Sequence, residues 1–265
     1  MNTPKFRKSL NPNQLQTLLF LFKFRFITAP LLSSITHKSR QSVQQSLQRL
    51  EEQDYIGKRY NSSYRLQGKQ AIYYLRPKAI RILKDQYGFN DSALNVMLRN
   101  ASLSESFMQH HLEVIKAYLS LKKHYGDAFH IFSQYELTNF DYFMHPLPDL
   151  YLSRIKQNSN LPTDYVLNIF TDKPTFVIKK LLYSYWKHCD SNTWQADTKT
   201  QYPTILICCP SPRVESTIQA FSERLIDRTG GDELNILTTT NKALLSEEPA
   251  VWSDVLEPDK TIKLT

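Results

Sequence analysis

Residues 144–155 read MHPLPDLYLSRI. From Leu150 apolar and polar side chains alternate, the period of two that a half-buried strand needs, and the Pro148-Asp149 pair opens it. Working outward, AFHIFSQYEL (128–137) reads as the preceding strand and DYVLNIFTD (164–172) as the following one. SESFMQHHLEVIKAYLSLKKHYG (104–126) before them is a helix with Phe107, Leu112, Ile115, Leu119 and Leu121 among its apolar positions. After them come a helix starting at Pro174, PTFVIKKLLYSYWKHC (174–189), and an apolar strand, PTILICCPS (203–211). An amphipathic helix, RVESTIQAFSERLID (213–227), and a last strand, ELNILTTT (233–240), complete the series. The order is αβββαβαβ. Alternating strands and helices at the end predict parallel pairing, and the three strands before them predict an antiparallel meander.

The first third of the chain has another grammar. In LNPNQLQTLLFLF (10–22) Asn11 is placed to cap a helix and Pro12 occupies its first position, where a missing N–H costs nothing. A short helix follows in TAPLLSSI (28–35), capped by Thr28. The stretch SRQSVQQSLQRLEEQDYI (39–56) predicts a third, with Val43, Leu47 and Leu50 on one stripe. Lys38, Gln41, Gln45, Gln48 and Arg49 fall on the opposite face, with Arg40 and Gln44 on its flanks. Glu51 and Glu52 wait until the last turn, so the outer face is free of carboxylates where a helix set among phosphates needs it to be. Beyond it the chain alternates as a strand, turns through Asn61-Ser62-Ser63 and returns through KQAIYYL (69–75). Three helices followed by a basic hairpin make a winged helix-turn-helix, with Lys58, Arg59, Arg65 and Lys69 placing charge on the wing.

Charge supports the division. Residues 1–100 hold 17 Lys and Arg against 5 Asp and Glu, a balance of +12, whereas the rest of the chain has 16 against 20, a balance of −4. A basic third joined to a mildly acidic remainder points to a polyanion-binding module attached to something else. The expected organisation is a winged helix over 1–90, a connector over 91–104, an α/β domain over 105–245 and a C-terminal tail over 246–265. No apolar run reaches the roughly 18 uncharged residues of a membrane span, and no signal peptide is legible, so a cytoplasmic protein is expected. Three cysteines, Cys189, Cys208 and Cys209, without a C-x-x-C pair or zinc spacing, predict free core thiols and no structural metal. The six glycines offer little material for a phosphate loop or dinucleotide fingerprint.

Three short motifs carry a family resemblance: His110-His111-Leu112 on the leading helix, Pro148-Asp149, and Asp172 through Thr175. With the element order, they make the second part resemble the restriction-endonuclease-like, PD-(D/E)xK superfamily. The whole stretch from about Leu10 to Leu245 resembles the replication-relaxation proteins of bacterial plasmids and other mobile elements. The resemblance implies an α/β fold, a winged helix followed by a mixed sheet, and a setting in replication, mobilisation or transcriptional control. It also implies a test of chemistry. The superfamily holds Mg²⁺ between a carboxylate opening the second strand and another in the third, with a lysine two residues later on the same face. Asp149 supplies the first, but Asn168 and Phe170 stand where Glu-x-Lys would be. A shift of register does not recover the pair, since Asp164 is followed by Val166 and Asp172 by Pro174. Were the chain active, Asp149, Asp172, Lys179 and Lys180 would be its machinery. Adjacent His110 and His111 point about 100° apart on a helix, which argues against a shared site.

The sequence therefore predicts a double-stranded-DNA-binding protein without enzymatic activity, cofactor or metal. Its other expected partners are a replication or mobilisation protein and a second copy in a homodimer, with no membrane. The alternatives are a metal-dependent nuclease using Asp149 with a displaced second ligand, and an adaptor whose winged helix binds protein.

Overall fold

The computed structural model describes residues 10–154, 164–230 and 234–264. The chain packs as two compact units, residues 1–115 and 116–265.

The first unit begins with α1 (Pro12–Phe24), whose Asn11 cap accepts the Gln14 N–H at 2.8 Å while the Gln14 side chain reaches back to the Asn11 N–H at 3.0 Å. This reciprocal capping box answers two of the helix's orphan donors. Next come β1 (Phe26–Thr28), α2 (Ala29–Thr36) and α3 (Arg40–Glu52). Then follow β2 (Ile56–Arg59), α4 (Ser62–Leu66), β3 (Ile72–Leu75), α5 (Pro77–Tyr87) and α6 (Asp91–Met97). β3 is the middle strand of a three-stranded antiparallel sheet, paired to β1 through Phe26↔Tyr74 and to β2 through Gly57↔Tyr74. Gly57 is fixed by that pairing: a Cβ there would lie 2.5 Å from the Tyr74 ring. Three helices and a sheet in this order are a winged helix. The sequence concealed two of its parts. Phe26–Thr28 is a strand although it lies within an apolar run that begins as helix, and the wing turns through the one-turn helix α4 rather than a tight Asn-Ser-Ser turn, because Asn61 caps it at the Tyr64 N–H (2.9 Å).

Residues 91–104 are not a bare connector. α6 and a 3₁₀ turn at Asn100–Ser102 bury Ala93, Leu94, Met97 and Asn100. The boundary falls instead between Ile115 and Lys116, inside α7 (Glu105–Tyr125).

The second unit carries β4 (Phe129–Ser133), β5 (Leu150–Arg154), β6 (Tyr165–Ile169), α8 (Thr175–Asp190) and α9 (Thr193–Thr198). β7 (Thr204–Cys209), α10 (Pro212–Thr229), β8 (Ile236–Thr240) and α11 (Asn241–Leu244) follow. β9 (Trp252–Asp254) and β10 (Thr261–Ile262) close the series. Its seven strands run in the order β10-β9-β8-β7-β6-β5-β4. β4, β5 and β6 form the antiparallel meander, while β6, β7 and β8 are parallel, Val166 opposite Ile205 and Leu206 opposite Leu237. This is the mixed sheet, a meander followed by parallel strands, that the αβββαβαβ order predicts. β6 and the last five residues of β7 are buried throughout, as parallel strands covered on both faces must be. Ile155 and Glu233, assigned to strands from sequence, lie outside the described residues. The C-terminal stretch is no tail. It adds β9 and β10 to the sheet, because Trp252, Val255 and Leu264 (0%, 2% and 3% exposed) supply apolar anchors spaced too irregularly to read as a strand pattern. Among the described residues no helix is long and apolar enough to cross a membrane.

Candidate nucleic-acid interface and carboxylate pocket

α3 is set by its inner stripe. Val43, Leu47 and Leu50 are buried, and Ser39 caps the helix by accepting the Ser42 N–H at 3.3 Å. Arg40, Gln41, Gln44, Gln45, Gln48 and Arg49 are thereby exposed, with Lys38 half-buried just before the helix. They divide by partner. Gln44 Nε2 donates to the Tyr73 hydroxyl at 3.3 Å and Gln48 Nε2 to the Glu52 carboxylate at 3.0 Å. Burial pushes the Tyr73 phenol up from its ordinary value, so it stays a neutral acceptor. Gln41 and Gln45 have no side-chain partner among the described residues. Lys38 Nζ donates to Asn13 Oδ1 at 2.7 Å, and with Gln45 and Arg49 it lines a cleft of about 360 Å³ against α1.

On the other flank of α3 a cleft of about 460 Å³ gathers Gln44, Tyr73 and three of the wing cations, Lys58, Arg65 and Lys69. These cations are not equivalent. Lys58 is ion-paired with Glu51 at 2.9 Å, and that hydrogen bond raises its ammonium above the ordinary value. Lys69 is ion-paired with Glu105. Arg59 turns away from this cleft and donates to the Leu103 carbonyl at 2.7 Å, bridging the wing's first strand to the segment after α6. Arg65 alone of the four is exposed without a side-chain partner among the described residues. Lys58 and Arg59 lie on β2, Arg65 on α4 and Lys69 just after it, while Glu105 and the Leu103 carbonyl come from distant segments that a local pattern cannot reveal.

His110 and His111 separate as their spacing requires. His111 is 3% exposed, its Nδ1 2.9 Å from the Phe107 carbonyl and its ring edge-on to Phe26 at 5.6 Å, whereas His110 is half-buried.

In the second unit Asp149 stands immediately before β5 and its Oδ2 accepts the Ile169 N–H at 2.8 Å, pinning the opening of β5 to β6. Asn168 is 4% exposed, and its Oδ1 lies 3.1 Å from the Tyr185 hydroxyl, which also lies 3.0 Å from the Pro146 carbonyl. Burial pushes the Tyr185 phenol far up, so it keeps its proton. With that proton given to Pro146, an Asn168 amide turned to offer its N–H to Tyr185 satisfies both contacts. Phe170 is packed in the core with Val166, Ile178, Ile207 and Cys209. Asp172 is exposed, its carboxylate accepting from the Thr171 hydroxyl at 3.4 Å. Lys179 lies over the Phe221 ring at 5.3 Å, and Lys180 faces solvent. Asp149, Asp172, Lys179 and Lys180 thus each have different immediate neighbours. No cluster of three or more His, Cys, Asp or Glu capable of holding a metal occurs among the described residues.

The cysteines are buried and unbridged. Cys208 Sγ donates to Asn241 Oδ1 at 2.9 Å, Asn241 Nδ2 donates to the Phe170 carbonyl at 2.8 Å, and burial pushes the Cys209 thiol up to about 12. Thiols so raised are poor nucleophiles and poor metal ligands.

Residues 18–149 match the model of the family described as Replication-relaxation. Among solved structures, a variant of Lactococcus lactis ZitR is similar at 18% identity and a TM-score of 0.26, over 46% of this chain and 80% of that one. Restriction endonuclease FokI is similar at 11% identity and a TM-score of 0.35, over 92% of this chain and 45% of that one. FokI bound to DNA gives 12% identity and a TM-score of 0.32, over 88% and 43%. The chain therefore spans less than half the length of FokI. No curated protein matched it.

Proposed function

We propose that this chain is a non-enzymatic double-stranded-DNA-binding protein of the cytoplasm, acting in the replication, mobilisation or transcriptional control of a plasmid or other mobile element. α3 lies in a major groove, and the α/β unit is a platform for a replication or mobilisation protein or for a second copy of the chain. The observation that carries this reading is the outer face of α3. It presents Arg40, Gln41, Gln45 and Arg49 without a carboxylate until Glu51, on a helix anchored by Val43, Leu47 and Leu50 to a winged-helix frame. Gln pairs with adenine and Arg with guanine, so the face has base-reading chemistry as well as charge. The Replication-relaxation match supports the setting. The absence of catalysis rests on Asn168 and Phe170, which are occupied in holding Tyr185 and filling the core.

The test is duplex binding by the full chain across salt concentrations. If roughly six phosphates are neutralised, log K falls against log salt with a slope of about −5. A slope near zero would put the protein-binding adaptor ahead.

A further inference from the structure

We infer that the outer face of α8 is a second nucleic-acid site, one that takes single-stranded DNA by stacking bases on Phe176 and Tyr183 between the charges of Lys180 and Lys187. The inner face of the helix is already filled by Ile178, Leu181, Leu182, Tyr185 and Cys189. On the outer face Phe176, Lys180, Tyr183 and Lys187 succeed one another four, three and four residues apart, which puts all four on one stripe of a 3.6-residue helix. Both rings face solvent, Phe176 at 67% exposure and Tyr183 at 45%. Lys187 Nζ lies 4.9 Å from the Tyr183 ring centroid, so charge and π-face act at one spot, and Trp186 flanks Tyr183 with ring centroids 5.3 Å apart. The helix carries no acidic residue before Asp190, its last. Among the described residues this row sets exposed rings beside cations in a unit whose net charge is otherwise negative.

Alternation of ring and cation along about 16 Å of helix suits a strand whose bases are unstacked and whose phosphates run beside them. A duplex keeps its π-faces inside and has no use for the rings. A second copy, docked face to face across a two-fold axis, would bring two lysine rows together. The choice of DNA over RNA rests on the proposed duplex-binding reading. The rings and charges themselves do not.

The experiment measures binding of the full chain to labelled oligothymidylate of about 20 nucleotides, with oligouridylate and duplex arms. Phe176→Leu and Tyr183→Leu should each weaken the oligothymidylate complex roughly 10-fold, while Phe176→Trp retains it and duplex binding stays at the parent value in all three. Leucine separates stacking from apolar docking, since a protein groove would accept it. Leucine variants that bind oligothymidylate like the parent would overturn the inference. So would loss of a dimer in Phe176→Leu, displacement of oligothymidylate by polyglutamate at lower concentration than by unlabelled oligothymidylate, or a marked preference for oligouridylate. A parent that binds duplex but not oligothymidylate sinks this site and leaves the winged-helix reading standing. The converse result does the reverse.

Discussion

Gln41 and Gln45 leave the outer face of α3 with their amides uncommitted, while Gln44 and Gln48 are engaged within the protein. An uncommitted amide can accept and donate to one base edge at no internal cost, so Gln41→Ala or Gln45→Ala should relax sequence preference, costing about 1–3 kcal/mol at one base pair. Arg65→Ala should instead weaken all duplexes alike and lower the salt slope by about 1. Arg59→Ala should leave the slope unchanged, because its guanidinium is spent on the Leu103 carbonyl. Competition with a panel of duplexes at several salt concentrations separates the three behaviours. A fall in slope for Arg59→Ala would mean that this side chain swings out on binding. In the second unit His188 sets a pH dependence. Burial holds its imidazole below the ordinary value, with its Nδ1 3.2 Å from the Tyr202 hydroxyl. The unfolded chain therefore takes up a proton first as pH falls through about 6.5, and stability present above that point is lost until the lower folded value is passed. Thermal melts from about pH 7.5 to about pH 5 should fall more steeply for the parent than for His188→Gln. Parallel curves would remove His188 as a cause.

Elements read as loops turn out to hold the first unit together. Arg25, 6% exposed at the end of α1, donates to Asn100 Oδ1 and to the Val96 carbonyl, each at 2.6 Å, and lies 4.9 Å from the Phe107 ring centroid. α6 and the turn after it thus supply the acceptors for a guanidinium that burial would otherwise penalise. Arg25→Ala should destabilise the unit by about 3 kcal/mol in urea melts, the scale for losing hydrogen bonds to a charged group together with their packing. Limited proteolysis of the native chain should spare residues 91–103. Rapid cleavage there would return the boundary to the connector that composition suggested. Polar, turn-rich composition read as a linker because the residue that makes α6 necessary lies 71 positions from Val96.

At the scale of the whole molecule, a winged helix and a mixed seven-stranded sheet are joined in one chain, and Asp149 stands at the opening of the second strand of the meander. Asp149 accepts the Ile169 N–H, and Asn168 and Phe170 bring no charge to the third strand, whereas Mg²⁺ dehydrates reluctantly without a charged ligand set. Supercoiled, linear and single-stranded DNA incubated with the full chain and Mg²⁺ or Mn²⁺ should remain intact. Asp149→Ala should cost about 1 kcal/mol of stability, one hydrogen bond's worth, and change no cleavage rate. Metal-dependent cutting abolished by Asp149→Ala would reinstate the nuclease.

The sequence alone determined the two architectures. Periods of 3.6 and 2 report which side of each element is apolar, so Val43, Leu47 and Leu50 announced α3, and the αβββαβαβ order announced a meander followed by parallel strands. It also determined that the third strand lacks Glu-x-Lys, since that is a matter of residue identity. Tertiary structure decided which charges remain available. Lys58, Arg59 and Lys69 are spelled like Arg65, yet Glu51, Leu103 and Glu105 take them, and only chain folding brings those acceptors near. It also decided that residues 252–254 and 261–262 pair into the sheet, because strands of three and two residues are too short to show a period. A local pattern fixes the direction in which a side chain points. What it meets there is set by segments distant in sequence, whose approach is governed by the packing of the whole core.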